Sequence, residues 1–388
     1  MNLPLMAARN VLRNKTRTVL TVVGVAIAIL AFMTLRTVLT AWTQAEEYSA
    51  KDRMAIRSRI SWVVLLPMNY VQKVKDIEGV ESVTWANWFG AKDPKRKEEF
   101  FANFAVDPKS ALEVWPELLV KDDEKKAWLG DQRGAMVGDV LARKMKWQVG
   151  SRVTLTGGVY PFDMEFTVRA IYTGKRKGVD RTQFFFHWEY INEKLPAERQ
   201  NRIGWMMIRT KPGVDSATMA KRIDDNFKSS GMPTLSQSEL ELNRSFLAAF
   251  SAILTAINVV SIVILLIMML ILGNTIAMGV RERTTEYGVL RAIGFRPGHV
   301  AAFIIGESIT VGLLGGGLGL AIGYPMINKG MGLWLEENMG GLFPVFGITR
   351  STAIAAFVLA VGLAAVAAAL PAWRAAQLKV VDALRRVG

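Results

Sequence analysis

The sequence contains no cysteine and only two histidines among its 388 residues. Without cysteine, the chain can form neither a disulfide nor a metal site with thiolate ligands. The two histidines, His187 and His299, are too few for a histidine-rich metal cluster. The lack of cysteine does not identify the cellular compartment, but it means that an exported domain would depend on its hydrophobic core for stability.

Motifs for common catalytic chemistry are also missing. The sequence has no P-loop, no G-x-S-x-G turn and no H-E-x-x-H helix. Its acidic pairs, Asp122-Asp123 and Asp224-Asp225, lie in charged stretches that are typical of exposed surface. We therefore expect no enzyme activity, no bound cofactor and no metal in this chain itself.

Apolar residues are abundant and segregated from charge. Hydrophobic residues make up 51% of the chain and charged residues 21%. A helix needs about 20 mostly apolar residues to cross a bilayer. Four segments meet this requirement and predict transmembrane helices, at residues 18–42, 246–279, 300–327 and 351–371. The first is too long for a signal peptide and lacks a small-residue cleavage site after it, so we interpret it as an uncleaved anchor.

The basic residues predict the orientation of these spans. Arginine and lysine are frequent in residues 1–17, in the loop 280–299 and in the tail 372–388, but not in the short loop 328–350. We expect the chain to lie in the inner (plasma) membrane. By the positive-inside rule, both termini and loop 280–299 then lie in the cytoplasm. Much of the net charge of +14 is thus a topology signal and requires no nucleic acid.

Further features of the spans and of the segment before them bear on their packing, and some of them leave alternatives open. Residues 1–17 fit an amphipathic helix that contacts membrane lipid at the inner interface. The second span is longer than a bilayer requires, which tilt or a stalk could explain; the helical pattern of Leu240–Phe250 favours the stalk. The third span carries seven glycines that could serve packing within the chain or a dimer seam. Glu307 in the same span is either paired or at the interface.

Residues 43–245 alternate strand and helix patterns. They predict a large extracytoplasmic (periplasmic) α/β domain between spans 1 and 2, with two lobes, the outer one inserted at about residues 108–196. Ser61–Leu66 is predicted as one of its strands. The domain contains eight tryptophans, which we assign mainly to the core, with a hydrophobic binding surface as the alternative.

The loop after the second span combines charge with apolar residues. It reads RERTTEYGVLRAIGF from Arg281 to Phe295, and Gly294 is a natural stop for a short helix. A helix with one apolar and one charged side, in a cytoplasmic loop, is suited to dock in the groove of a partner. The alternative is an interfacial helix that anchors the turn.

This loop resembles the coupling region of the MacB/FtsX-like permeases of ABC transporters. The family pattern is close to E-R-x-x-E-x-G-x-L-R-A-x-G, and the stretch from Glu282 to Gly294 matches it, including Ala292. Residues 9–21, 134–168 and 371–385 also resemble corresponding parts of that family, so the resemblance covers nearly the whole chain. The residues that it assigns to coupling are Glu282, Arg283, Glu286, Tyr287, Gly288, Leu290, Arg291 and Gly294.

The resemblance implies a mechanism and partners. Two permease chains, identical or related, would pair above two copies of an ABC ATP-binding subunit, which would hold ATP and magnesium. ATP-driven motion would reach the periplasmic domains and move a lipidated, hydrophobic or peptide cargo, with or without a periplasmic adaptor. Some relatives carry a fused ATPase, and here a separate subunit is expected instead. The alternatives are an FtsX-like regulator of a cell-wall hydrolase and a membrane sensor without an ATPase.

Overall fold

The computed structural model describes residues 15–43, 49–96, 98–176, 178–339, 343 and 345–378. Most of the predicted interfacial helix 1–17 and the last ten residues of the predicted tail lie outside these ranges. The chain divides into two compact units. A helical unit contains residues up to Thr40, Ser251–Leu333 and the chain from Phe346 onward, and a domain unit contains Ala41–Phe250 and Trp334–Val345.

Within the described residues, four helices are long and apolar enough to cross a membrane. Such helices satisfy every backbone hydrogen bond internally, which lipid requires. Span 1 is Lys15–Thr43, span 2 is Ser251–Glu282, span 3 begins at Pro297 and span 4 is Arg350–Ala376. Between spans 2 and 3 lies a short helix, Thr284–Ala292, here called the loop helix.

The glycines of span 3 allow close packing within the chain. A Cβ atom added at Gly312 or Gly316 would lie 2.8 Å from a side-chain carbon of span 4. One added at Gly315 would lie 2.6 Å from Val25 of span 1, and Gly319 and Gly323 approach the same helix. Because no side chain fits at these distances, the five glycines serve contacts with spans 1 and 4. For these five glycines, packing within the chain is therefore the observed role, and not a dimer seam.

We predict that Gly315→Leu destabilises the helical unit, because the larger side chain must push span 1 away. Overpacking of this kind costs about 1–3 kcal/mol or more. Gly317→Leu is the matched control, since nothing lies within 4 Å of a Cβ at that glycine. Thermal unfolding in detergent should show a lower midpoint for the first variant than for the second. Equal midpoints would contradict the packing described here.

Span 3 ends later than the sequence predicted. Its α-helix runs from Pro297 to Pro325, continues as a π-helix over Met326–Met331 and as an α-helix over Gly332–Asn338. The segment 328–350 is therefore not simply a loop. The returning chain supports the extension, because Asn328 accepts a hydrogen bond from the backbone N–H of Ile348 at 2.6 Å. Lysine, glycine and glutamate in this stretch give the appearance of a loop in the sequence.

The helices before span 2 and at the end of span 4 also differ from the predicted limits. The stalk helix is a separate element, Glu239–Ala249, and span 2 starts at Ser251. A capping box between Ser238 and Glu241 starts the stalk helix. Span 4 continues past Pro371 to Ala376, into the predicted tail.

The domain unit is built on one ten-stranded sheet. The strand order is β12-β1-β11-β3-β4-β9-β6-β8-β5, with β7 also paired to β8. β4 pairs with β9, and β6 with β8, in parallel. β8 shows why such segments form strands, since its side chains alternate between buried and more exposed positions along most of its length.

The bounds of the strands in this sheet are β1 Arg53–Ser58, β3 Val80–Trp88, β4 Asn103–Val106, β5 Leu118–Leu119, β6 Gly134–Gly138, β7 Arg152–Thr156, β8 Asp163–Gly174, β9 Phe184–His187, β11 Trp205–Thr210 and β12 Thr234–Ser238. A separate pair is formed by β2 Leu66–Pro67 and β10 Arg202–Ile203.

Short helices cover both faces of this sheet. They are α1 Asn69–Lys75, α2 Pro108–Val114, α3 Asp122–Leu129, α4 Asp139–Met145, α5 Trp188–Lys194 and α6 Ser216–Phe227. One hydrophobic cluster joins residues from both halves of the sheet, from Met54 in β1 to Phe184 in β9. The segment 108–196, predicted as an inserted outer lobe, thus supplies most of one end of a continuous sheet and shares its core.

The predicted strand Ser61–Leu66 is wrong for most of its length. Only Leu66 is in a strand, and β1 occupies the place between β11 and β12. Trp62 and Val63 point to solvent, with 44% and 84% of their surfaces exposed, and Trp62 meets the ring of Trp205 edge-on. This apolar run has the composition of a strand, but it forms an exposed loop. Of the other seven tryptophans in the described part of residues 43–245, only Trp88 is similarly exposed.

Candidate functional site

The loop helix ends where the sequence predicts. Gly294 follows it with a φ of +101°, a left-handed conformation that glycine adopts without steric cost. The Phe295 N–H donates to the Leu290 carbonyl at 3.1 Å, which closes the helix end in the manner of a Schellman motif. Pro297 then begins span 3. The helix therefore has a fixed end at the start of the next span.

Two neighbouring residues at the start of the loop join three spans. Glu282, the last residue of span 2, pairs with Arg17 of span 1. Arg283 donates to both carboxylate oxygens of Glu307 in span 3, at 3.1 and 3.2 Å. We call these two pairs the charge brace. Glu282 and Arg283 match the family pattern, yet their observed partners belong to this chain.

Tyr287 and Arg291 also face inward. Tyr287 is 3% exposed and belongs to a cluster with Val300, Ile304 and small residues of span 4. Its burial, reinforced by the charge of Glu307, raises the pKa of Tyr287 to about 12, so the hydroxyl stays protonated near neutral pH. Arg291 donates to the carbonyl of Ala376 at 2.7 Å, at the end of span 4. There the cation satisfies a free carbonyl and opposes the negative end of the helix dipole.

The other members of the predicted set divide between the two sides of the helix. Gly288 is buried and Leu290 is partly buried against the same cluster as Tyr287. Glu286, Val289 and Ile293 lie on the exposed side. Val289 and Ile293 expose 47% and 68% of their surfaces, and the spacing of the three residues places them on one face. We call Glu286, Val289 and Ile293 the outer face of the loop helix.

The sequence predicts the loop helix but not which of its side chains contact the rest of the chain. The spacing of charged residues does not show whether each meets its own chain or a partner. The sequence leaves Glu307 either paired or at the interface, and the structure shows it paired with Arg283. Val289 and Ile293 carry a usable signal in the sequence, since two apolar residues four apart lie on one face of a helix.

The charge brace predicts a specific rescue. Arg283→Glu should destabilise the helical unit, because two carboxylates would then face each other with little solvent. Loss of one partner in a buried pair costs about 3–5 kcal/mol, and partial exposure here places the expected loss at the lower end. Adding Glu307→Arg should restore at least half of that loss. Thermal unfolding of both single variants and the double variant measures this, and no recovery in the double variant would refute the pairing.

A second cluster of charge anchors the stalk helix to the domain sheet. Arg53 of β1 is 5% exposed and donates from Nε to Glu239, the first residue of the stalk helix, at 2.5 Å. Its Nη1 lies 2.7 Å from Glu117 and also donates to the Val114 carbonyl. Burial alone would lower the pKa of Arg53, but the two carboxylates raise it, so the guanidinium stays charged. Leu242 of the stalk helix packs nearby against Ala55 and Val114.

We predict that Arg53→Met destabilises the domain unit, because Glu239 would remain largely buried without a cation among the described residues and Glu117 would keep only Arg176, at 4.0 Å. The expected cost is about 3–5 kcal/mol. Arg57→Met in the same strand is the control: Arg57 lies over the ring of Trp62 and has no acidic partner among the described residues. Chemical unfolding followed by tryptophan fluorescence should separate the two variants. Equal losses would show that Arg53 has no special anchoring role.

An aromatic cleft adjoins this anchor. It has a volume of about 290 Å³ and is lined by Phe104, Trp115, Phe185 and Trp205, with Arg53, Glu117 and Glu239 in the same wall. The rings of Phe104 and Trp205 meet edge-on at 5.7 Å, and those of Trp115 and Phe185 stack at 6.1 Å. Such a cleft can hold an apolar group and contact a polar one at its charged wall.

Two protein-family models match this chain. The FtsX-like permease C-terminal family matches residues 258–380, which contain most of span 2, the loop helix and spans 3 and 4. The MacB-like periplasmic core domain family matches residues 18–226, more than half of the chain.

Relatives of known name agree with these matches. An uncharacterised ABC transporter permease of Methanocaldococcus jannaschii is 22% identical over 98% of this chain and 96% of its own length. The ABC transporter permease YtrF of Bacillus subtilis is 32% identical over 38% of this chain and 35% of its own. The macrolide export ATP-binding/permease protein MacB of Rhodopseudomonas palustris is 34% identical over 29% and 16%. The chain thus spans nearly all of the first relative but about a third or less of the other two.

Among solved structures, the periplasmic region of MacB from Actinobacillus actinomycetemcomitans is 12% identical and covers 52% of this chain and 94% of its own, with a TM-score of 0.38. The extracellular domain of the transporter YknZ is 12% identical, with a TM-score of 0.35, over 48% and 98%.

Four spans and the α/β domain between the first two define a membrane protein with an extracytoplasmic domain. With both family matches, the chain belongs to the MacB/FtsX-like permeases of ABC transporters.

Proposed function

We propose that this chain is the permease subunit that couples a separate ATP-binding subunit to the extracytoplasmic domain. In this proposal both termini and the loop helix are cytoplasmic, as the basic residues predict. The observation that supports it most directly is the outer face of the loop helix. Two exposed apolar side chains beside a carboxylate form a small docking surface on an otherwise charged loop.

The inner side of the same helix supports transmission of force. A docking element that moves alone would absorb the motion of its partner. Here Glu282 and Arg283 connect the loop to spans 1 and 3, and Arg291 connects it to span 4. We infer that a push on the outer face moves these spans together. Span 2 follows the stalk helix directly in the chain, and Arg53 fixes that helix to the domain sheet.

The partners in this proposal are two ATP-binding subunits, which hold ATP and magnesium, and a second permease chain, identical or related. An apolar groove of about 360 Å³ between spans 1 and 2 supports pairing with a second membrane protein. We assign a hydrophobic, lipidated or peptide cargo to the aromatic cleft, because its four rings suit apolar groups. A periplasmic adaptor would bind elsewhere on the domain.

We predict that Val289→Asp abolishes association with the ATP-binding subunit without unfolding the permease. The new charge would have to be buried in an apolar contact, which costs several kcal/mol. Val149→Asp is the matched control, because Val149 is a similarly exposed valine in the domain unit, 49% against 47%. Co-purification in mild detergent measures association, and thermal unfolding measures folding.

Arg291→Glu should behave differently from Val289→Asp. It removes the cation at the end of span 4 and should lower stability as well as association. Normal association in Val289→Asp would overturn the assignment of the docking surface. Recovery of the wild-type chain from its native membrane with no ATP-binding subunit would favour the sensor alternative over a permease.

A further inference from the structure

A second groove lies between spans 2 and 4, on the half of each helix nearer the loop helix. It has a volume of about 610 Å³. Its walls are mainly apolar, with Met269 and Leu270 of span 2 facing Val366 and Leu370 of span 4. Arg281 and Arg374 line its end beside the loop helix. The proposed docking surface does not include any of these residues.

The two arginines lack an acidic partner among the described residues. Both are exposed, and neither forms an ion pair there. The carboxylate next to Arg281 in the chain, Glu282, already pairs with Arg17. Arginine binds phosphate well because its planar group offers several donors in a fixed geometry. Two such groups at one end of an apolar groove match the charge distribution of a lipid with a negative headgroup.

The length of the groove fits one membrane leaflet. From Met269 to Arg281 span 2 rises about 18 Å, at 1.5 Å per residue. Half of a hydrocarbon core is about 15 Å. Trp373, which is 58% exposed, stands next to Arg374. Tryptophan is enriched at the level of the headgroups, so this side chain marks the same depth as the arginines.

We propose that this groove binds one anionic phospholipid, with its phosphate at Arg281 and Arg374 and its acyl chains along spans 2 and 4. Asn274, which also lines the groove, offers an amide at the depth of the lipid's acyl chains. In the proposed orientation the lipid belongs to the inner leaflet. Its position beside the end of span 4, which Arg291 caps, would make the lipid part of the support for the loop helix.

Native mass spectrometry of the full chain, titrated separately with phosphatidylglycerol and phosphatidylethanolamine, tests this inference. The wild-type chain should retain one phosphatidylglycerol in preference to phosphatidylethanolamine. Arg281→Gln and Arg374→Gln should each weaken phosphatidylglycerol binding about fivefold, in keeping with the usual contribution of one basic residue at an anionic surface. Arg296→Gln, an exposed arginine outside the groove, should leave it unchanged.

Two further variants separate lipid from other occupants. Ala277→Phe should fill the groove and weaken binding although both arginines remain. Ala277→Cys provides a single thiol in a chain without cysteine, and we expect no disulfide-linked dimer through it in membranes. Unchanged phosphatidylglycerol binding in the Arg281→Gln/Arg374→Gln double variant, or an efficient cross-link at position 277, would overturn the proposal. Because these measurements need no ATP-binding subunit, their failure is distinct from failure of the proposed function.

Discussion

The pairing of Arg283 with Glu307, next to that of Glu282 with Arg17, holds the end of span 2 to spans 1 and 3. A charge that is largely buried between helices is costly to leave unpaired, and Arg283 and Glu307 expose only 15% and 25% of their side chains. Each charge is therefore fixed by its partner. The position of the loop helix depends on this constraint, because the helix begins directly after Arg283. Its buried tyrosine and the Arg291 contact with span 4 then determine which face remains open.

This arrangement explains how one short motif can serve two purposes. Its inner side chains join the spans, and its outer ones are available to a partner. The domain unit repeats the same design at Arg53, which joins β1, the stalk helix and the segment after α2. In both units a buried or half-buried arginine fixes an element through which motion would pass.

The sequence allowed the spans and the inserted domain to be predicted, because hydropathy and the bilayer thickness are strong constraints. It did not reveal where span 3 ends, since the support at Asn328 comes from a segment 20 residues later in the chain. The strand expected at Ser61–Leu66 was wrong, because an exposed apolar loop has the same composition as a strand. The partners of Glu282 and Arg283 could not be predicted either, since Arg17 and Glu307 lie in other spans; the coupling role of these two residues stays a prediction.

The central claim is that ATP binding in a subunit docked on the loop helix moves the extracytoplasmic domain. Spin labels at Val149→Cys in the domain and Arg350→Cys at the start of span 4 would report the distance between the two units in one chain, which has no other cysteine. In complex with the ATP-binding subunit, the account predicts that trapping ATP shifts this distance distribution and that Val289→Asp abolishes the shift. An unchanged distribution, measured while the ATP-binding subunit is bound and hydrolyses ATP, would contradict it.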